Sequence, residues 1–181
     1  MMVKVLHFST LLILFFSASV LAQIPPFYHQ IAEKHEVPVT VVYALALTES
    51  NTRMNDGTAK PWPYTINLHG KVDQFLTAHQ MVNHAESLKS TGRLTFDVGL
   101  FQVNWYWVGR HKVGTIRELA DPYTNGDIAM ETIKLYKTHH NTWGEAAGRY
   151  HNPANKNGLA DIYEAKFNEH HARIIRQSRS S

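Results

Sequence analysis

Seven apolar residues in a row, Val41-Val42-Tyr43-Ala44-Leu45-Ala46-Leu47, run directly into Thr48-Glu49-Ser50. Val41, Val42, Leu45 and Thr48 recur at helical spacing on one face, Ala44 and Ala46 allow close packing, and Thr40 is placed to cap the start. The expected product is an apolar helix with one carboxylate at its edge. Burial there disfavours the charged form of Glu49 and raises its pKa, which is how a carboxylic acid stays a proton donor near neutral pH. The sequence contains no cysteine, so neither a disulfide nor a lipid-anchoring thiol is available and the fold rests on its core.

Residues 1–22 read as a secretory leader. Lys4 gives a positive start, Phe8 to Phe16 an apolar centre and Val20-Leu21-Ala22 a small-residue exit. The alternative, a retained N-terminal anchor, is opposed by the polar His7, Ser9, Thr10, Ser17 and Ser19. Residues 23–181 then have the size of one domain with one core, and contain no second long apolar run. An exported protein, periplasmic or associated with the cell wall, is expected. The formal net charge of +3 includes Lys4 and favours no particular partner. Arg173, Arg176 and Arg179 read as a solvated tail, and no basic stripe interleaved with aromatics supports nucleic-acid binding.

Residues 27–36 are predicted as a first helix, interrupted by Val37-Pro38. Asn51 to Gly70 has the Pro, Gly, Asn and Asp content of a long loop, with a brief strand signal over Trp62-Pro63-Tyr64-Thr65-Ile66-Asn67. Helical spacing returns over Asp73 to Ser90, with Gly92 fitting its end. Residues 121–126 read as a turn before a helix bearing Ile128, Ala129, Thr132, Ile133 and Tyr136. A last helix is expected over Leu159 to Arg176, carrying Tyr163, Phe167 and Ile174. The class is mainly α with a small loop or hairpin region, and the site is expected in the cleft between the two.

Glu49-Ser50, Gly99-Leu100-Phe101-Gln102 and Tyr150 with Asn152, in this order, resemble the three signature segments of lytic transglycosylases with a lysozyme-like soluble-transglycosylase domain. The similarity spans Phe27 to Tyr163. The segment with Trp62 to Asn67, then Asp97-Val98-Gly99 and Arg149-Tyr150-His151-Asn152, is similar to a branch that accompanies conjugation, pilus and secretion machines. The last motif departs from the family's common Ala-Tyr-Asn, because His151 separates Tyr150 from Asn152. The resemblance implies a lysozyme-like α+β fold, peptidoglycan glycan strands as substrate, proteins of a secretion or conjugation apparatus as partners, and no cofactor.

It further implies catalysis by Glu49 without a second carboxylate. Glu49 would protonate the oxygen leaving C1 of N-acetylmuramic acid. Its carboxylate would then take the proton of that sugar's C6 hydroxyl as the hydroxyl attacks C1 and closes a 1,6-anhydro ring. Tyr150 would orient Glu49 by a hydrogen bond. Ser50, Gln102, Asn104 and Asn152 are the expected polar contacts to substrate, although Ser50 could equally bond helix backbone and Gln102 could tie up loop backbone. Trp62, Tyr64, Trp105 and Trp107 are candidate sugar platforms or loop core.

His139-His140 and His170-His171 lack metal-site spacing, since adjacent helical residues point about 100° apart, so no metal is expected. Gly-x-Ser-x-Gly and phosphate-cradling glycine loops are absent from the sequence. Two other functions compete with the first. One is a goose-type-like muramidase, in which Asp56 or Asp97 positions a hydrolytic water. The other is a catalytically idle glycan-binding module of an assembly. Under the transglycosylase reading, Asp97 is expected to cap the turn into Val98-Gly99.

Overall fold

A computed structural model describes residues 24–179, and the leader expected over 1–22 lies outside them. The first helix, α1 (Pro26–His35), starts on a proline, whose fixed φ suits the first helical position. It ends where Glu36 turns left-handed at φ 54°. Tyr28, Ile31 and Ala32 face inward.

Helix α2 (Val39–Ser50) follows Pro38, which opens it without a side-chain cap. Thr40 therefore does not cap it. Thr40 sits inside the first turn and its hydroxyl meets His171 Nε2 at 3.0 Å. Nor is α2 buried on one face alone. Val41, Val42, Ala44, Leu45, Ala46, Leu47, Thr48 and Ser50 are all buried, so the helix is wrapped on every side, as an apolar composition with little amphipathic bias requires.

Asn51 to Gly70 is not a long loop. It holds β1 (Asn51–Arg53) paired with β2 (Ala59–Pro61), and β3 (Thr65–Leu68), which continues into β4 (Lys71–Gln74). Local turn chemistry makes these hairpins. The Asp56 carboxylate accepts from Thr58 N–H at 2.9 Å. Leu68 and Lys71 are joined by His69 at φ 53° and Gly70 at φ 87°, the positive pair of a type I′ turn.

Asp73 lies in β4, and helix α3 begins only at Ala78 (Ala78–Ser90), where Thr77 Oγ1 accepts from Gln80 N–H. Gly92, at φ 78°, ends it as expected. Two short strands, β5 (Asp97–Val98) and β6 (Val103–Asn104), complete an antiparallel sheet in the order β4-β3-β5-β6. A short helix α4 (Ile116–Leu119) leads to α5 (Pro122–His139). The expected turn over 121–126 is the cap and first turn of α5, because Asp121 accepts from Thr124 N–H and Pro122 occupies the first position.

Helix α6 (Trp143–His151) is opened by a reciprocal capping box between Thr142 and Glu145. The last helix, α7 (Leu159–Arg179), buries Ala160, Tyr163, Phe167 and Ile174. Glycines let α6 and α7 approach. A Cβ on Gly148 would stand 2.6 Å from the Ala160 carbonyl oxygen, and one on Gly144 would stand 2.4 Å from Asn168 Oδ1. The architecture is α+β and mainly helical, with α2 at its centre and the small sheets at one side. Among the described residues no helix is long and apolar enough to cross a membrane.

Candidate active site

Burying α2 on all sides carries its C-terminal end to the wall of a cavity of about 220 Å³. Glu49 reaches the cavity from α2, Asp97 and Asn104 from β5 and β6, and Tyr150 and His151 from the end of α6. Gln102 and Trp107 add polar and aromatic wall. The cleft thus lies between helices and sheet, where the sequence places it.

Glu49 is largely enclosed, and burial pushes its carboxyl up from the ordinary 4.5 to about 8. Tyr163 opposes this by donating its hydroxyl to Glu49 Oε1 at 2.6 Å. The Asp97 charge adds to the rise, and the Lys166 ammonium subtracts from it. Lys166 is itself fixed by donating to the Thr48 carbonyl at 3.1 Å. At neutral pH the balance leaves Glu49 protonated, aimed and in reach of the cavity. A proton can be delivered from it.

The orienting tyrosine is Tyr163, not Tyr150. Tyr150 lines the cavity beside Glu49 but donates its hydroxyl to the Phe101 carbonyl at 2.6 Å, which fixes the segment before Gln102. Tyr163 lies in the apolar stripe of α7 and reads in sequence as core. The available signal is that a buried tyrosine hydroxyl needs a partner.

Ser50 makes no contact with the cavity. It is buried, and its hydroxyl donates to the Ala46 carbonyl at 3.1 Å and the Leu100 carbonyl at 2.7 Å. Asn152 also falls outside the lining. It ends α6, and its side-chain oxygen accepts from Lys156 N–H at 2.9 Å. Gln102 faces the cavity, but its amide nitrogen is committed to the Gly99 carbonyl at 2.6 Å and the Thr65 carbonyl at 3.1 Å. Asn104 donates to Asp97 Oδ1 at 2.8 Å and accepts from Trp107 N–H at 3.0 Å.

The aromatic candidates separate cleanly. Trp105 is core, 5% exposed. Trp62 donates its indole N–H to the Phe75 carbonyl at 2.8 Å and meets Tyr64 edge-on, so this pair knits the β3–β4 hairpin away from the cavity lining. Trp107 is 70% exposed on the cavity wall. It is propped edge-on by Tyr106, over whose ring the Arg110 guanidinium sits 3.7 Å from the centre. An exposed indole held in this way is a ready surface for the C–H face of a sugar.

Asp97 does not cap the turn into Val98-Gly99 with its side chain. The carboxylate bridges strands instead, accepting from Asn104 and, at 3.4 Å, from Asn67. Burial raises it from 3.8 to about 6, against the pull of the Asn104 bond. Asp56 is remote from this cavity, on the β1–β2 hairpin, bonded to Thr58 and paired with Lys60 at 3.9 Å. Of the two candidates for a second carboxylate, only Asp97 shares the cavity with Glu49.

The segment Gly99 to Gln102 is held from beneath by Asn125, a fully buried residue of α5. Its Oδ1 accepts from Phe101 N–H at 2.8 Å, and its Nδ2 donates to the Val98 carbonyl at 2.9 Å and the Leu119 carbonyl at 3.1 Å. Gly99, at φ 84°, leaves no room for a Cβ, which would meet Asn125 at 2.9 Å. Among the described residues no three His, Asp or Glu side chains gather as a metal site. His171 faces Thr40 while His170 meets Arg173, so the two neighbours diverge. Compared with family models, with curated proteins and with solved structures, the chain finds no match in any of the three.

Proposed function

We propose that this chain is a lysozyme-like lytic transglycosylase of peptidoglycan, exported to act on the cell wall beside a conjugation, pilus or secretion apparatus. The observation that supports it most is the Glu49 carboxylic acid, kept protonated by burial and aimed by Tyr163, in a cleft with an exposed indole on its wall. Protonated Glu49 gives its proton to the oxygen leaving C1 of N-acetylmuramic acid. The carboxylate left behind accepts the proton of the C6 hydroxyl as that oxygen bonds to C1, so the ring closes and no water is consumed. A tethered nucleophile of this kind reacts at a very high effective concentration. One group serves as acid and then as base, which suits a pKa close to the working pH.

Hydrolysis is the second reading, favoured by the carboxyl of Asp97 in the same cavity. Above pH 6 it becomes increasingly ionised and could hold a water. Mass spectrometry of fragments released from purified wall separates the two. The expected product carries a 1,6-anhydro-muramoyl end, about 18 Da lighter than a hydrolytic reducing end because no water is added. Asp97→Asn is expected to keep substantial activity and the same product. Reducing ends, with catalysis lost in a folded Asp97→Asn variant, would establish the hydrolase instead.

Activity should fall as pH rises through about 8, where Glu49 loses its proton. Tyr163→Phe is expected to move this alkaline limb upward, since the bond it removes stabilises the ionised form. A rate loss of about tenfold should accompany the shift, because the carboxyl is no longer aimed. An unmoved alkaline limb would remove Tyr163 from the site.

A further inference from the structure

His151 occupies the position at which the third sequence segment departs from its usual form. It lies exposed at the cavity, and its ring stacks on Tyr163 with centroids 4.5 Å apart and planes inclined by 11°. The other side of the same tyrosine chemistry is the 2.6 Å bond to Glu49. We propose that His151 is a positioning residue, whose ring locks Tyr163 in the rotamer that aims its hydroxyl at Glu49 and shields that bond from the water of the cavity. This deepens the transglycosylase reading and rests on it for its consequence in turnover.

Geometry favours a lock over a chemical role. A ring lying flat on another removes the space into which Tyr163 could rotate, and it covers that face of the phenol. Partial desolvation of the ring against the cavity wall, with the Lys166 charge, holds the His151 imidazole below its ordinary pKa and so favours the neutral ring. A neutral ring stacks without adding a cation that would draw the proton off Glu49. The groups that face Glu49 are Tyr163 and Lys166 from α7, Tyr150 and His151 from α6, and Asp97 from β5. Among them His151 is the one whose ring covers the orienting tyrosine.

The test compares the full chain with H151A and H151F. The Glu49 carboxyl carbon is titrated by NMR without substrate, and kcat and KM are measured on glycan strands. In H151A water reaches Glu49, and because burial is the largest influence on its pKa, the midpoint should fall by about one unit. The same variant should lose about tenfold in kcat with KM little changed. H151F keeps a flat ring and should match the parent in both. The proposal is overturned if H151A leaves the midpoint unmoved, if its loss lies in KM alone, or if H151F behaves like H151A. A parent that cuts no glycan would end the transglycosylase reading, while the substrate-free titration would still decide the role of His151.

Discussion

Glu49→Gln is expected to abolish wall digestion, with a loss of about 10²–10⁴ from the missing general acid alone. Gln has nearly the same shape and can still accept from Tyr163, so the fold should survive. Stability should respond to pH as well as to the mutation. The folded carboxyl is raised from 4.5 to about 8, so the protonated group favours the folded state fully below about 4.5. That contribution is lost as pH rises through about 8. Gln has no such dependence, and the variant should therefore gain on the parent in melting temperature between pH 5 and pH 8. Near-parental activity, or melting temperatures that run parallel with pH, would count against Glu49 as a buried acid.

The second large effect is on stability. Asn125→Ala deletes a side chain that is fully buried and satisfies one N–H and two carbonyls. Each buried group left without a partner costs about 1–3 kcal/mol, so a total of about 3–5 kcal/mol is expected. In a chain of this size that lowers the melting temperature by about 10 °C. The damage should concentrate in the segment Gly99 to Gln102, visible as faster amide exchange at Phe101. A loss under about 1 kcal/mol would mean that this turn is held by something other than Asn125.

What the sequence discloses depends on whether the cause is local. Glu49 is legible because the apolar run before it is itself the reason for its burial. Helices α5 and α7 are legible from periodicity, and the end of α3 from Gly92. Helix α6 is hidden because Gly144 and Gly148 read locally as helix weakeners, while their purpose, the close approach of Ala160 and Asn168, lies on another helix. The strand signal over Trp62 to Asn67 catches the start of β3, but its pairing with β4 is hidden because His69-Gly70 fixes that register by backbone sign rather than by alternating side chains. Ser50 is misplaced for a related reason: a polar residue beside an acid looks like a ligand contact until the Leu100 carbonyl that it satisfies is seen. Asn125 reads as a turn former, since nothing nearby reveals the three partners it has elsewhere.

The bond between Tyr163 and Glu49 joins residues 114 positions apart. Glu49 is made early, whereas the hydroxyl that aims it arrives with the last helix. A chain that stops short of residue 163, or whose α7 has not yet folded, holds the acid without its guide. Placing the acid and its guide on helices so far apart in sequence makes the docking of α7 on α2 a condition for aiming Glu49. For a protein proposed to cut the wall of the cell that exports it, competence would then arise only after α7 had been released and folded against α2.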